Sequence, residues 1–408
     1  MLAFVAVIFV AIGLIHLYLW KRLVRDTLRP GRARRIGGLV AVALAVLGPA
    51  TLIGTRTGDA KWLAWPGYLW IAVMFYLLVA LIVLEVPRLV TGVILRARDR
   101  ATVGVNVASP VATAPTQRTA TATAELDDAS PTGEPGVERR LLLARSAAIV
   151  AGLTAAGVTG YGVRSALGPP QVNRLEFPLA KLPRALDGTR LAVVADIHLG
   201  ALTSLRRVDR IVDMINSVNA DIVCLVGDLV DGTVEELGRL AEPLAGIRSR
   251  HGAYFVTGNH EYYSGFAPWV REVARLGLRP LRNERVELGG LDLAGVNDPT
   301  GANFGDAPDF GKALGNRDTA RPVILMAHQP IAAHEAAPYG VDLQVSAHTH
   351  GGQMAPFNLV VRMQQPIISG LGRVDGVPVY VTNGAGFWGP PVRVGAPPQV
   401  SVIDLRTP

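Results

Sequence analysis

Five short apolar runs from residue 190 onward each stop on a cluster of acidic, amide or imidazole side chains, usually beside glycine. Arg190–Ala195 ends in Asp196-Ile197-His198, and Asp221–Val226 ends in Gly227-Asp228-Leu229-Val230-Asp231. Ala253–Thr257 ends in Gly258-Asn259-His260-Glu261, and Pro322–Ala327 ends in His328. Asp342–Ser346 ends in Ala347-His348-Thr349-His350-Gly351-Gly352. Runs this short and this rich in Val and Ile read as buried strands. Between the first two, Leu205, Val208, Ile211, Val212 and Ile215 recur at helical spacing. Strand, helix, strand predicts an α/β domain over residues 171–408, with a parallel or mixed sheet covered by helices.

In open α/β sheets, ligands bind beyond the carboxyl ends of the strands. All five clusters sit at such ends, so side chains from 196 to 350 are expected to meet. The residue types that meet are Asp, His and Asn, and the chain holds a single cysteine. Oxygen and imidazole donors without thiolate suit Mn, Fe, Zn, Co or Mg. Seven such residues exceed what one ion with an open position takes. They suit two ions ~3.5–4 Å apart that share a carboxylate. His16, His251 and His334 fall outside the pattern and read as core or surface residues.

The first part of the chain is of another kind. Hydrophobic residues make up 50% of the 408 and charged residues only 18%, which excludes a disordered chain. Leu2–Leu19, Ile36–Gly54 and Trp62–Val86 are apolar runs, each about long enough to span a bilayer core of ~30 Å. They predict helices over 2–19, 36–54 and 62–86, a transmembrane region over 1–96. Trp62, Trp65, Tyr68 and Trp70 gather at one end of the third, as an aromatic belt would. A fourth, weaker run lies within 139–165, where Gly152, Ala156 and Gly160 form a small-residue surface suited to helix packing. The first run lacks a basic opening, so it reads as a spanning helix rather than a cleaved signal. Glu138-Arg139-Arg140-Leu141-Leu142 resembles a twin-arginine export signal and also reads as a basic flank of the fourth helix. Residues 97–138, dense in Ala, Thr, Pro, Gly and Val, read as a disordered linker. Residues 164–189 read as a flexible segment before the strand at Arg190.

Charge follows this division. Residues 1–170 carry 18 Lys and Arg against 9 Asp and Glu, and residues 171–408 carry 22 against 24. The basic surplus therefore flanks the apolar runs, which fits membrane topology and argues against a nucleic-acid partner. Loop 21–35 holds seven basic residues, and loop 55–61 holds only Arg56 and Lys61. The positive-inside rule then places loop 21–35 in the cytoplasm and residues 171–408 outside it. The expectation is a multi-pass protein of the cell membrane with an extracytoplasmic catalytic domain.

The ordered series Asp-x-His, Gly-Asp-x-x-Asp, Gly-Asn-His-Glu, a strand-end His, then His-Thr-His-Gly-Gly resembles the calcineurin-like metallophosphoesterase superfamily. The closest resemblance is to its membrane-linked bacterial branch of YkuE- and YaeI-like phosphodiesterases. It covers residues 171–408, including the ending from Gly384-Ala385-Gly386 through Pro391-Val392-Arg393 to Pro397-Pro398-Gln399-Val400. Ala347 departs from the glycine usual before His-Thr-His. The resemblance implies a four-layer αββα sandwich and two divalent metal ions. Asp196, His198 and His350 would hold one ion. Asn259, His328 and His348 would hold the other, with Asp228 bridging. His260 would act from outside the ligand set, oriented by Asp231. Trp388 and Arg393 read either as rim residues for an anionic, partly apolar substrate or as surface packing. The implied activity is metal-dependent hydrolysis of a phosphoester, lipid-linked or of the cell envelope. A UDP-diacylglucosamine pyrophosphatase-like hydrolase is the alternative enzyme. A sensor or scaffold with a degenerate domain is the alternative without activity.

Overall fold

The structure, a computed structural model, describes residues 2–103 and 135–408. The chain divides into two compact units, Met1–Val46 with Val73–Gly157 and Leu47–Ala72 with Val158–Pro408.

Helices α1 (Leu2–Trp20), α2 (Arg32–Arg56), α3 (Ala64–Val103) and α4 (Pro135–Leu167) come first. Among the described residues, three stretches are long and apolar enough to cross a membrane: Arg32–Arg56, Lys61–Pro87 and Arg140–Leu167. Leu14, Leu39, Val42, Val83 and Leu153 stand exposed on these helices, a surface that suits lipid better than water. Helices α3 and α4 run into both ends of the segment expected as a linker, and its residues 104–134 lie outside the described ones. In the first unit Arg22 Nε, in the turn Lys21–Arg25 that follows α1, lies 2.8 Å from Glu85 Oε1 of α3. A Cβ added at Gly152 or Gly160 would meet nothing within 4 Å, so the small-residue surface packs on no helix among the described residues.

The second unit carries two six-stranded sheets. Along the chain come β1 (Gln171–Pro178), β2 (Arg190–Val194), α5 (Leu205–Ser217), β3 (Ile222–Val226), α6 (Val234–Ala241) and β4 (Ala253–Val256). Next are α7 (Asn259–Tyr263), α8 (Phe266–Arg275), β5 (Arg279–Pro280), β6 (Glu284–Leu288), β7 (Leu291–Gly295) and α9 (Phe310–Leu314). The chain closes with β8 (Val323–Met326), α10 (Ala333–Ala336), β9 (Leu343–Ser346), α11 (Asn358–Val361), β10 (Gly370–Val374), β11 (Val377–Val381) and β12 (Gln399–Arg406). The first sheet has the order β1-β12-β2-β3-β4-β5 and the second β10-β11-β9-β8-β7-β6.

Side-chain alternation turns these sheets into four layers. Successive residues of a strand face opposite ways. Leu191 and Val193 of β2 therefore meet Cys224, Ile324, Met326 and Val345 between the sheets. Ala192 and Val194 point the other way, against Ile211 and Ile215 of α5, Leu237 of α6 and Trp269 of α8. The far side of the second sheet packs Leu325 and Val379 on Phe310 of α9 and Ala333 of α10. The result is the αββα sandwich.

Residues 171–178 are not flexible. All eight pair in parallel with β12, from Gln171 with Gln399 to Pro178 with Arg406. The ladder comes from the last strand of the chain. The outward face of β1 is polar and exposed, so no buried run marked it in the sequence.

The ends of α2 and α3, with the turn between them, belong to this second unit. Lys61 Nζ lies 3.4 Å from Glu236 Oε1. Tyr68 packs on Gly389, where a Cβ would lie 3.6 Å from the ring. At the end of α4, the Gly162 carbonyl accepts a hydrogen bond from the Arg393 amide at 2.9 Å.

Candidate metal centre

Each polar cluster leaves its strand through a sharp turn. Asp196, His198, Asp228, His348 and His350 all have positive φ, between 50° and 69°. Side chains rarely adopt this left-handed region, and each such residue costs on the order of 1–3 kcal/mol. The neighbouring strand ends hold them there. The amide of Asp196 donates to the Gly227 carbonyl at 3.1 Å, and that of His198 to the Asp228 carbonyl at 3.2 Å. Gly227 itself has φ 77°, and a Cβ on it would lie 2.5 Å from the Gly258 nitrogen, so only glycine fits. Ala347 is not left-handed and sits buried between the sheets, so it takes the usual place of glycine without strain.

The turns bring the donors together in groups. Asp196, His198 and His350 have donor atoms within 4.8 Å of one another, as do Asp228, His328 and His348. The Asn259 Oδ1 lies 3.0 Å from His348 Nδ1. Asp228 Oδ2 lies 3.2 Å from His328 Nε2 and 3.8 Å from His198 Nε2, so one carboxylate atom faces both groups.

These residues fit cations. His328 Nδ1 faces the Val226 carbonyl at 2.7 Å and donates to it, which turns Nε2 toward the site. There Nε2 is buried without a hydrogen-bond partner, as is Asp196 Oδ2. The 3.2 Å approach of His328 to Asp228 lacks hydrogen-bonding geometry. His198 donates from Nδ1 to Asp231 at 2.9 Å, so its Nε2 lone pair faces His350 Nε2 at 3.0 Å. A carboxylate behind a histidine in this way orients it for a metal. Buried polar atoms facing one another without a partner are costly, and a shared cation removes that cost.

Asp231 serves two rings. The same Oδ1 lies 2.6 Å from His260 Nδ1, so it positions His198 as well as His260. The His260 amide donates to Asp228 Oδ1 at 2.9 Å. Burial pulls the His260 imidazole down, but Asp228 and Asp231 outweigh it and raise the group to about 9. Burial and the nearby His328 hold His348 down at about 4. Burial, then Arg393, keeps His350 well below the usual range.

Two residues act here that the strand-end pattern did not single out. Glu261 is fully buried, and its carboxylate accepts from the amides of Asp228 at 3.0 Å, Leu229 at 2.7 Å and Gly258 at 2.6 Å. It ties the turn after β3 to the turn after β4. Its signal was the Glu that closes Gly-Asn-His-Glu. Arg393 is no rim or surface residue. It is fully buried, donates to the His350 carbonyl at 2.9 Å and to the Gly386 carbonyl at 3.0 Å, and lies 3.1 Å from His350 Nδ1. Burial lowers it to about 9. Trp388 does reach the rim: it is 54% exposed, with its ring 6.0 Å from His260. His334 pairs with Asp375 at the surface, and His16 is buried against the Ile12 carbonyl.

The family model described as Calcineurin-like phosphoesterase matches residues 189–352. A "Transmembrane protein with metallophosphoesterase domain" of Danio rerio is 37% identical over 60% of this chain and 60% of its own length. An "Uncharacterized metallophosphoesterase" of Aquifex aeolicus is 34% identical over 58% of this chain and 92% of its own. The "Uncharacterized metallophosphoesterase YkuE" of Bacillus subtilis is 27% identical over 66% and 97%. The chain spans 60% to 66% of the length of the first relatives it matches. Fold, donor set and relatives agree: this chain belongs to the calcineurin-like metallophosphoesterases, in the branch that includes YkuE.

Proposed function

We propose that this phosphoesterase holds two divalent cations, one by Asp196, His198 and His350, the other by Asn259, His328 and His348. Asp228 serves both, and its Oδ2 between His328 and His198 is the observation that carries the reading. The cations would supply positive charge to the phosphate oxygens and acidify the attacking water. The other steps belong to the chain. Asp231 takes the His260 Nδ1 hydrogen, so His260 offers Nε2 to the leaving oxygen. A group raised to about 9 is charged at neutral pH and able to donate. Glu261 and Arg393 hold the turns that aim the ligands.

The substrate on this reading is a phosphoester of lipid or cell envelope, and the catalytic domain faces out of the cytoplasm. The basic loop 21–35 supports the orientation. The packing of the α2–α3 turn on the catalytic unit supports a working position at the bilayer surface. The test loads full-length protein in liposomes with Mn, Fe or Zn and assays lipid and nucleotide phosphoesters. Strong preference for a lipid phosphoester is expected. Equal rates on lipid and soluble diesters would reject the membrane substrate.

A further inference from the structure

Beyond His260 the site is bordered by a residue from outside the sandwich. Tyr263, at the end of α7, has its ring 5.6 Å from that of His260. Over Tyr263, 5.6 Å from the ring centroid, lies the guanidinium of Arg56, the last residue of α2. Arg56 is exposed, and no carboxylate among the described residues pairs with it. A guanidinium stacked on an aromatic face keeps its edge N–H groups for an anion.

Two observations set the depth of this position. Arg56 ends a helix long and apolar enough to cross a membrane. Trp62 and Trp65, just beyond it, are 76% and 47% exposed, as residues of a headgroup belt are. Arg56 therefore stands where lipid phosphates stand, two aromatic rings from the reacting centre. Lys61 with Glu236, and Tyr68 on Gly389, hold the turn in place without it.

We propose that Arg56 is a substrate-binding residue whose ligand is the phosphate of a membrane-anchored lipid. The lipid enters the cleft from the bilayer side, past Arg56, Tyr263 and Trp388. This inference rests on the membrane phosphoesterase reading above.

The test uses the full chain, metal-loaded, in phosphatidylcholine vesicles, with bis(4-nitrophenyl) phosphate as the soluble substrate. Phosphatidic acid doped into the vesicles competes from the membrane, and inorganic phosphate competes from solution. Arg56→Ala should raise the phosphatidic acid needed for half-inhibition about tenfold, the worth of one charge-assisted contact. Inhibition by inorganic phosphate should stay within about twofold, and an unchanged circular dichroism spectrum shows that the variant is folded. Arg56→Lys should fall between, because it keeps the charge and loses the planar fork. Unchanged inhibition by phosphatidic acid overturns the proposal. Equal weakening of both inhibitors overturns it too, since Arg56 would then read any phosphate. Absence of diester hydrolysis in the wild type removes the phosphoesterase reading, and the proposal with it.

Discussion

The Asp231 Oδ1 lies 2.6 Å from His260 Nδ1. A carboxylate this close fixes the ring and keeps its proton in place. His260→Gln should cost about 10²–10⁴ in rate, with metal content unchanged by elemental analysis. Loss of a metal in that variant would make His260 a ligand.

The same ring sets an alkaline limit. Only protonated His260 donates, so the rate should fall as pH rises through its pKa. That value is about 9 without cations, and two cations held beside it would pull it lower. The pH profile of kcat should show this limb at or below about 9, and His260→Gln should lack it.

Asp228 faces both donor groups. Asp228→Asn removes the shared charge and should abolish activity and lower metal content toward zero, with the circular dichroism spectrum kept. Full activity in that variant is incompatible with a bridging role.

Metal binding should release a proton. His328 is held well above the usual range: burial opposes this, but Asp228, Asp196 and Asp298 prevail. A cation on Nε2 displaces that hydrogen, so affinity should rise with pH below the His328 pKa, by about tenfold per unit for one proton. Titration with Zn in weak buffer would read the proton directly, and pH-independent affinity would contradict it.

Glu261 accepts three amides in a buried place. Glu261→Ala leaves all three without an acceptor, at about 1–3 kcal/mol each. Its Tm should drop well below that of a surface change such as Glu287→Ala. An equal Tm for the two would leave the carboxylate without structural weight.

The converging polar series was legible because buried strands of β-branched residues are easy to read and each stops on its polar cluster. Asp196, Asp228 and His348 announced themselves this way. Their left-handed backbone did not, because Asp and His carry no mark of positive φ as glycine does. Arg393 was misread because a lone arginine among prolines looks exposed. It is buried because the carbonyls of His350, Gly386 and Ala396 converge on it from separate loops. β1 was missed because its partner is 228 residues away in sequence, beyond any local pattern. Arg56 belonged to a loop-charge tally, and only packing set it over Tyr263.

Gly168, Pro169 and Pro170 are the whole connection between α4 and β1. Two consecutive prolines hold φ near about −65°, so the joint passes rotation on. One residue inserted in Val158–Leu167 would turn the downstream chain by about 100° and advance it by about 1.5 Å. β1 would turn with it and carry its sheet along. The turn between α2 and α3 meanwhile grips the same domain at Tyr263 and Gly389. Both grips lie within the second unit, so Val158–Leu167 keeps them in phase only at one length. Adding a full turn would restore the angle but leave an offset of about 5.4 Å. The number of residues in that helix is thus constrained as firmly as their chemistry, in a segment where each substitution alone looks tolerable.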